Sequence, residues 1–331
     1  DYTPEESAAY QITSVGACQG IRKVIRKVHT LGDNGGTGGG EEPEQPPDAY
    51  INDSFITSSG ALIINNDVDY DPNNKVYYSG YFGDYTVGGQ VINKEFVTEP
   101  KYKSAASPEV FEKATYQELQ YTGATEDRPL SNWNITNGQY WAAKASFSGT
   151  KISVANNTVL LIGEQLGIGY MLYKNFLTMD NVEITVPKGK TLEFIICDYG
   201  TIKDYDNVVL KNITIKGGGQ VSFISGGSIA VNSIKSVDNS RILFIANKNL
   251  NMSDPFINAD KQLDGGCFLS SAGNMQMLVS SNAAAAFYGQ MQSAGLISIG
   301  GQSGGTGKLV LRFNKIGEKL KMPNMYYLKA A

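Results

Sequence analysis

The chain predicts a mainly β protein whose body is a parallel β-helix, or β-solenoid, with an N-terminal α-helix and an irregular β-rich subdomain. Three observations lead there. From Trp133 to Phe313, short Ile- and Val-rich runs recur, each closed by Asn, Gly, Asp or Ser. The runs alternate with period two, the mark of half-buried strand. No helical segment interrupts them, so the units must stack to bury their apolar sides.

The strand runs are explicit. They include Ile152–Val154, Val159–Ile162, Val182–Val186, Leu192–Ile196, Ile213–Ile215, Val221–Ile224, Ile229–Val231, Ile242–Ile245 and Leu309–Leu311. Their spacing is irregular, which favours a right-handed parallel β-helix with variable turns over a left-handed hexapeptide coil. A β-sandwich is the competing architecture. Asn and Gly at the corners suit both, because they tolerate left-handed backbone.

The remaining chain is assigned in order. Residues 1–31 read as an amphipathic helix, with Ala8, Ile12, Val15, Cys18, Ile21, Ile25 and Val28 at spacings of three and four. Thr3 is the candidate N-cap and Pro4 the first helical position. Residues 32–48, rich in Gly, Glu and Pro, form a linker that cannot bury a core. Residues 49–128 form an irregular β-rich subdomain, broken by Asn-Asn, Asp-Pro and Gly-Gly turns, with a short helix near Pro108–Glu118. The solenoid spans 129–315, and 316–331 is a closing segment.

Composition narrows the function classes. Charged residues are 18% of the chain, glycines number 37, and the formal net charge is -4. No overall field draws it to nucleic acid. This balance suits an extracellular or cell-surface β protein. No run of about 18 apolar residues is present, so a membrane enters only through a segment upstream of Asp1. The three cysteines, Cys18, Cys197 and Cys267, lack zinc-ligand spacing. Cys197 and Cys267 can face each other on neighbouring coils, but buried free thiols are the simpler reading.

Catalytic patterns fail on inspection. Gly301-Gln302-Ser303-Gly304-Gly305 fits a nucleophile elbow in letters only. The next segment reads as strand, and the single histidine, His29, lies beyond the linker. Gly307-Lys308 fails the phosphate-loop rule at Gln302 and Leu309. Carboxylates that could serve sugar chemistry are Glu164, Asp180, Glu183, Glu193, Asp198, Asp204, Asp206 and Asp238. Most alternate with apolar residues and should point outward. The expectation is therefore no enzyme. Asp67, Asp69 and Asp71 alternate in a turn and could hold a structural calcium, although Pro72 and Tyr78 break the helix-loop-helix calcium pattern. Sequons such as Asn134-Ile-Thr136 and Asn212-Ile-Thr214 are expected by chance in so Asn-rich a chain.

The stretches 131–162 and 275–301, with the helical character of 5–30, resemble the PilX-type proteins associated with type IV pili. The resemblance is one of style, without a diagnostic motif. It implies a pilin-like subunit whose helix packs in a filament through Ile12, Val15, Ile21 and Ile25, while the solenoid projects outward. Asp1–Thr13 is more polar than a mature pilin start. Expected partners are other pilin-like subunits, or a surface glycan or host ligand met by the aromatics Tyr81, Phe82 and Tyr85. The alternative is a secreted carbohydrate-binding or polysaccharide-cleaving β-helix.

Overall fold

A computed structural model describes residues 9–18, 21–30, parts of 56–96, 117–118, 133–135, 138–142, 144–162, 176–196, 206–257, 264–280, 284–301 and 307–321. The chain divides into two units, Asp1–Gln45 and Pro46–Ala331.

In the first unit, Ala9–Cys18 and Ile21–Thr30 pair as antiparallel strands, with Ala9 opposite Thr30 and Cys18 opposite Ile21. Extended chain stands where the sequence predicts a single helix. The physical reason is legible afterwards. Ile12, Thr13, Val15, Ile21, Val24, Ile25 and Val28 are β-branched, and Gly16 and Gly20 would each cost a helix interior about 1 kcal/mol.

The second unit is mainly β, as expected: a parallel sheet curled into a half-barrel, consistent with a solenoid. Apart from a short antiparallel pair, Thr86–Val87 with Gln90–Val91, its described strands form three parallel ladders. Ladder A runs from Ala145–Ser148 through the first parts of Leu177–Thr185, Asp206–Lys216, Ser228–Ser236 and Leu250–Ile257 to Met275–Val279, Ile297–Gly301 and Leu62–Ile64. Ladder B takes Trp133–Ile135, Lys151–Val154, the second parts of the same long strands, the first part of Ala284–Ser293, then Lys308–Phe313 and Val68–Tyr70. Ladder C runs Gln117–Glu118, Gly138–Ala142, Thr158–Ile162, Thr191–Ile196, Gln220–Ser225, Arg241–Ala246 and Gly266–Ser271. It continues through the end of Ala284–Ser293 to Ile56–Ser58, Val76–Tyr78 and Glu95–Phe96. Strands upstream of residue 100 thus join the same sheet as strands near residue 300. Gln117 and Glu118, at the end of the expected short helix, are a strand.

Each long strand serves two ladders because it bends once. The bends are Asn181, Asn212, Ser233 and Asp254, with φ of 54°, 53°, 61° and 47°. Left-handed backbone is tolerated best by short polar side chains. These residues drop out of the pairing register, so Asp180 faces Lys211 and Val182 faces Ile213. Some bends are also tied to neighbouring rungs. Asn212 Nδ2 donates to Asp180 Oδ1 at 3.4 Å, and Ser280 N–H donates to Asp254 Oδ1 at 2.7 Å.

The core lies on the concave side. Phe194, Phe223 and Phe244 are opposite one another in ladder C, all fully buried. Their rings stack at 5.1 Å with interplanar angles of 5° and 11°. That distance is close to the strand spacing of roughly 4.8 Å, so the backbone itself sets the stack. Leu269, Met291 and Ile56 continue the row.

The corner from ladder C to ladder A repeats one phrase. Ser, then Gly at the second position, then apolar residues at the fourth and sixth, occurs at Ser225-Gly227-Ile229-Val231, Ser271-Gly273-Met275-Met277, Ser293-Gly295-Ile297-Ile299 and Ser58-Gly60-Leu62-Ile64. The serine hydroxyl accepts from the glycine N–H at 3.1 Å for Gly227, 3.2 Å for Gly273 and 3.1 Å for Gly295. Successive glycines also bond between rungs, Gly295 N–H to Gly273 O at 3.0 Å and Gly60 N–H to Gly295 O at 3.2 Å. A Cβ on Gly295 would lie 2.7 Å from the Gly273 carbonyl oxygen and collide with Asn274 Oδ1. Gly295→Ala should therefore cost about 2 kcal/mol, as overpacking typically does. Chemical denaturation measures it, and an unchanged midpoint would contradict this stacking.

Candidate functional site

The convex side of ladder C is covered, unlike that of a simple solvated strand. Ile195, Ile224, Leu243, Ile245 and Phe268 point away from the core yet are at most 2% exposed. This is why Gln220–Ser225 and Gly266–Ser271 are buried at every position. After Phe313 the chain leaves ladder B and runs back across these rungs as a strap, through a 3-10 turn at Ile316–Lys319. Ile316 and Leu320 are its buried apolar residues.

The strap is fastened mainly through its backbone. Asn314 N–H donates to Gly289 O at 3.2 Å, and Gly317 N–H donates to Gln290 Oε1 at 2.8 Å. Arg241 donates to Lys319 O at 2.8 Å. Gln220 brackets Lys321, accepting its N–H at 2.8 Å and donating to its carbonyl at 2.7 Å. Asn314 Nδ2 reaches Gly265 O at 2.5 Å, and Lys319 Nζ lies 3.4 Å from Asp264. The expected closing segment, 316–331, is described only as far as Lys321; residues 322–331 lie outside the described residues.

Where the strap ends, Glu193 is half-buried on the convex side of ladder C, between Val159 and Ser222 in the register. Burial pushes its carboxyl up to about 7, and the nearby Lys321 ammonium pulls the other way. The alternation that assigned Glu193 to solvent was right about direction. It could not register the cover.

The other candidates are spread over the surface. Glu183 sits between Lys216 at 2.9 Å and Lys151 at 3.9 Å, and its hydrogen bond to Lys216 holds the carboxyl below its usual range. Asp180 is exposed on ladder A, and Asp238 adopts φ of 56° at a turn. Asp206 begins a ladder A strand; Glu164, Asp198 and Asp204 lie outside the described residues. Asp69 is in Val68–Tyr70, where Arg312 donates to its carboxylate at 2.8 and 3.2 Å. A carboxylate with both oxygens on a guanidinium is poorly disposed to serve a calcium ion as well. Asp67 and Asp71 lie outside the described residues, as do Tyr81, Phe82 and Tyr85. Among the described residues no cluster of His, Cys, Asp and Glu is close enough to hold a metal. The Cys267 thiol is free and buried, and Cys197 lies outside the described residues.

The convex side of ladder A is open. One row carries Ser146, Thr178, Val209, Ala230, Asn251, Gln276 and Ser298 on successive rungs, half-buried to exposed. Thr178 donates to Ser146 at 2.9 Å. Hydroxyls and amides stand at Ser146 and Thr178 and again at Asn251, Gln276 and Ser298, with Val209 and Ala230 between the two polar stretches and Ile63, 40% exposed, after Ser298. The sequence reading looked for exposed aromatics and missed this row, whose only signal is the polar residue between two buried ones. Comparison with protein families, with characterised proteins and with solved structures gave no match.

Proposed function

We propose that the second unit is the body of a three-sided parallel β-helix, and that the protein is a surface-displayed structural or adhesive scaffold with no catalytic role. The observation that carries this reading is the ladder A row. A rigid stack holds two stretches of hydroxyl and amide groups, Ser146 with Thr178 and Asn251 with Gln276 and Ser298, with neighbours about 4.8 Å apart inside each. Such an array suits an extended polymer rich in hydroxyls, a surface glycan above all, held by many weak hydrogen bonds. Loss of one contact matters little, whereas a bulky charge in the row blocks several at once. An extracellular setting fits this role, and the low charge density fits it too.

The narrower pilin-like assignment rests on sequence resemblance alone. It calls for an apolar helix in the first unit, whereas Ala9–Cys18 and Ile21–Thr30 are strands. Its test is recovery of the protein in filaments sheared from the cells that make it.

The scaffold reading is tested on immobilised polysaccharides with the intact protein. Wild type should be retained on at least one. Asn251→Arg with Gln276→Arg should weaken retention at least tenfold while leaving the circular dichroism unchanged. Retention by none sinks the glycan form of the proposal. Cleavage of the polymer, abolished by Asp206→Asn, would establish the enzyme alternative instead.

A further inference from the structure

The order of strands along the stack does not follow the order of the chain. From residue 117 to residue 313 the strands climb the ladders in sequence. The chain then leaves at Asn314 to form the strap, and the next positions are filled from upstream. Ile56–Ser58 pairs with Met291–Ser293, Leu62–Ile64 with Ile297–Ile299, and Val68–Tyr70 with Leu309–Leu311. All are parallel, and all follow the same cyclic order C, A, B. The shared Ser-x-Gly corner at Ser58-Gly60 shows that this is an in-register rung of the same repeat. Ser58 Oγ donates to Gly295 O at 2.8 Å, and Arg312 clasps Asp69 across the joint.

The added rungs therefore close an end that would otherwise expose Met291, Ile297, Ile299, Leu309 and Leu311, all buried here. An open parallel edge of this kind must be covered. Within one chain, the cover needs an unusual connection. Among the described residues, Glu95–Phe96 is the last strand of ladder C at one end, and Gln117–Glu118 the last at the other. Ten strand-to-strand steps separate them along the ladder, or roughly 48 Å. Residues 97–116 join them, and a chain of that length reaches about 70 Å. Closure within one chain is thus allowed. The same connection would be a local step if the end receiving 56–96 belonged to a neighbouring copy stacked beneath Gln117–Glu118. The sequence would then rise along the whole assembly in one direction: 117–313 of one copy, 56–96 of the next, 117–313 of that same next copy.

We propose that the rungs Ile56–Ser58, Leu62–Ile64 and Val68–Tyr70 are exchangeable, and that a second copy of this chain supplies them to the open end, producing a head-to-tail filament. Exchange replaces every contact of the joint by an identical one, so it costs little beyond association itself. Because the donated end and the receiving end differ, the contact is heterologous and propagates. The proposal rests on the strand order and not on what the ladder A row binds, so its failure leaves the scaffold reading intact.

Thr57 and Gln292 are direct partners across the joint. Neighbouring strands are about 4.8 Å apart, within disulfide reach. The test is Thr57→Cys with Gln292→Cys in the full chain, with Cys18 and Cys197 changed to Ser, oxidised over a range of concentrations. The expected result is a reducible ladder of dimers, trimers and longer species, at least tenfold more abundant than in either single variant and growing with concentration. Bridging confined to monomers at every concentration, or no bridging, overturns the proposal. A second variant removes about twelve of residues 97–116, leaving a connection of roughly 30 Å, too short to close within one chain. It should retain the wild-type thermal transition and sediment as oligomers. A monomer, or loss of the transition, counts against exchange.

Discussion

Phe223→Ala should lower the stability of the second unit by about 4 kcal/mol, in the usual range for removing a buried phenylalanine. The ring is fully buried and stacked on both sides, on Phe194 and on Phe244, at 5.1 Å in each case. The cavity cannot collapse readily. Its neighbours above and below are fixed by the ladder hydrogen bonds, which hold adjacent strands at a set spacing. Two ring contacts vanish together, adding to the lost burial. Phe223→Leu should recover more than half of the loss, because it refills most of the volume. Denaturant titration followed by circular dichroism measures both. A loss below about 1 kcal/mol for the alanine variant would mean that the row is not a continuous core.

The stability of the unit should fall as pH rises from 5 to 8, by up to roughly 3 kcal/mol from Glu193 alone. The carboxyl has an ordinary value of 4.5 and is raised to about 7 in the folded protein, chiefly by desolvation, with Lys321 opposing. A raised acid favours the folded state when neutral. Its contribution is fully present below 4.5 and is lost progressively as pH climbs through 7. Asp69 and Glu183 are shifted the other way, by Arg312 and by Lys216, so their contributions weaken only in acid, below this window. Glu193→Gln keeps the shape and cannot ionise. It should flatten the profile between pH 5 and 8 and exceed wild type in stability at pH 8. Thermal unfolding at several pH values is the readout, and parallel profiles for the two proteins would refute the burial of this carboxyl.

Much of the sheet was legible because its causes are local. The runs from Ile152–Val154 to Leu309–Leu311 lie in strands as their alternation requires. Asn181, Asn212 and Asp254 take the left-handed bends for which short polar residues are suited. Over Ile12 to Val28 the apolar residues fit spacings of three and four, while β-branching and two glycines favour extended chain. The Ser-x-Gly corner stands four times in the letters but is absent from the sequence reading, because Ser and Gly close many other turns of this chain.

By itself, then, the sequence determined strand content, the inward and outward sides of each run, and the corners, since these depend on side-chain alternation and on backbone preference over a few residues. Tertiary structure alone decided which strands are neighbours, that Ile56–Ser58 follows Ala284–Ser293 in the stack, and that the strap ends beside Glu193. Parallel pairing joins residues far apart in the chain through backbone groups that every residue carries. No local pattern encodes the partner, and the cover on the convex side comes from a distant segment, 49 residues on at Gly265 and 101 at Gln220.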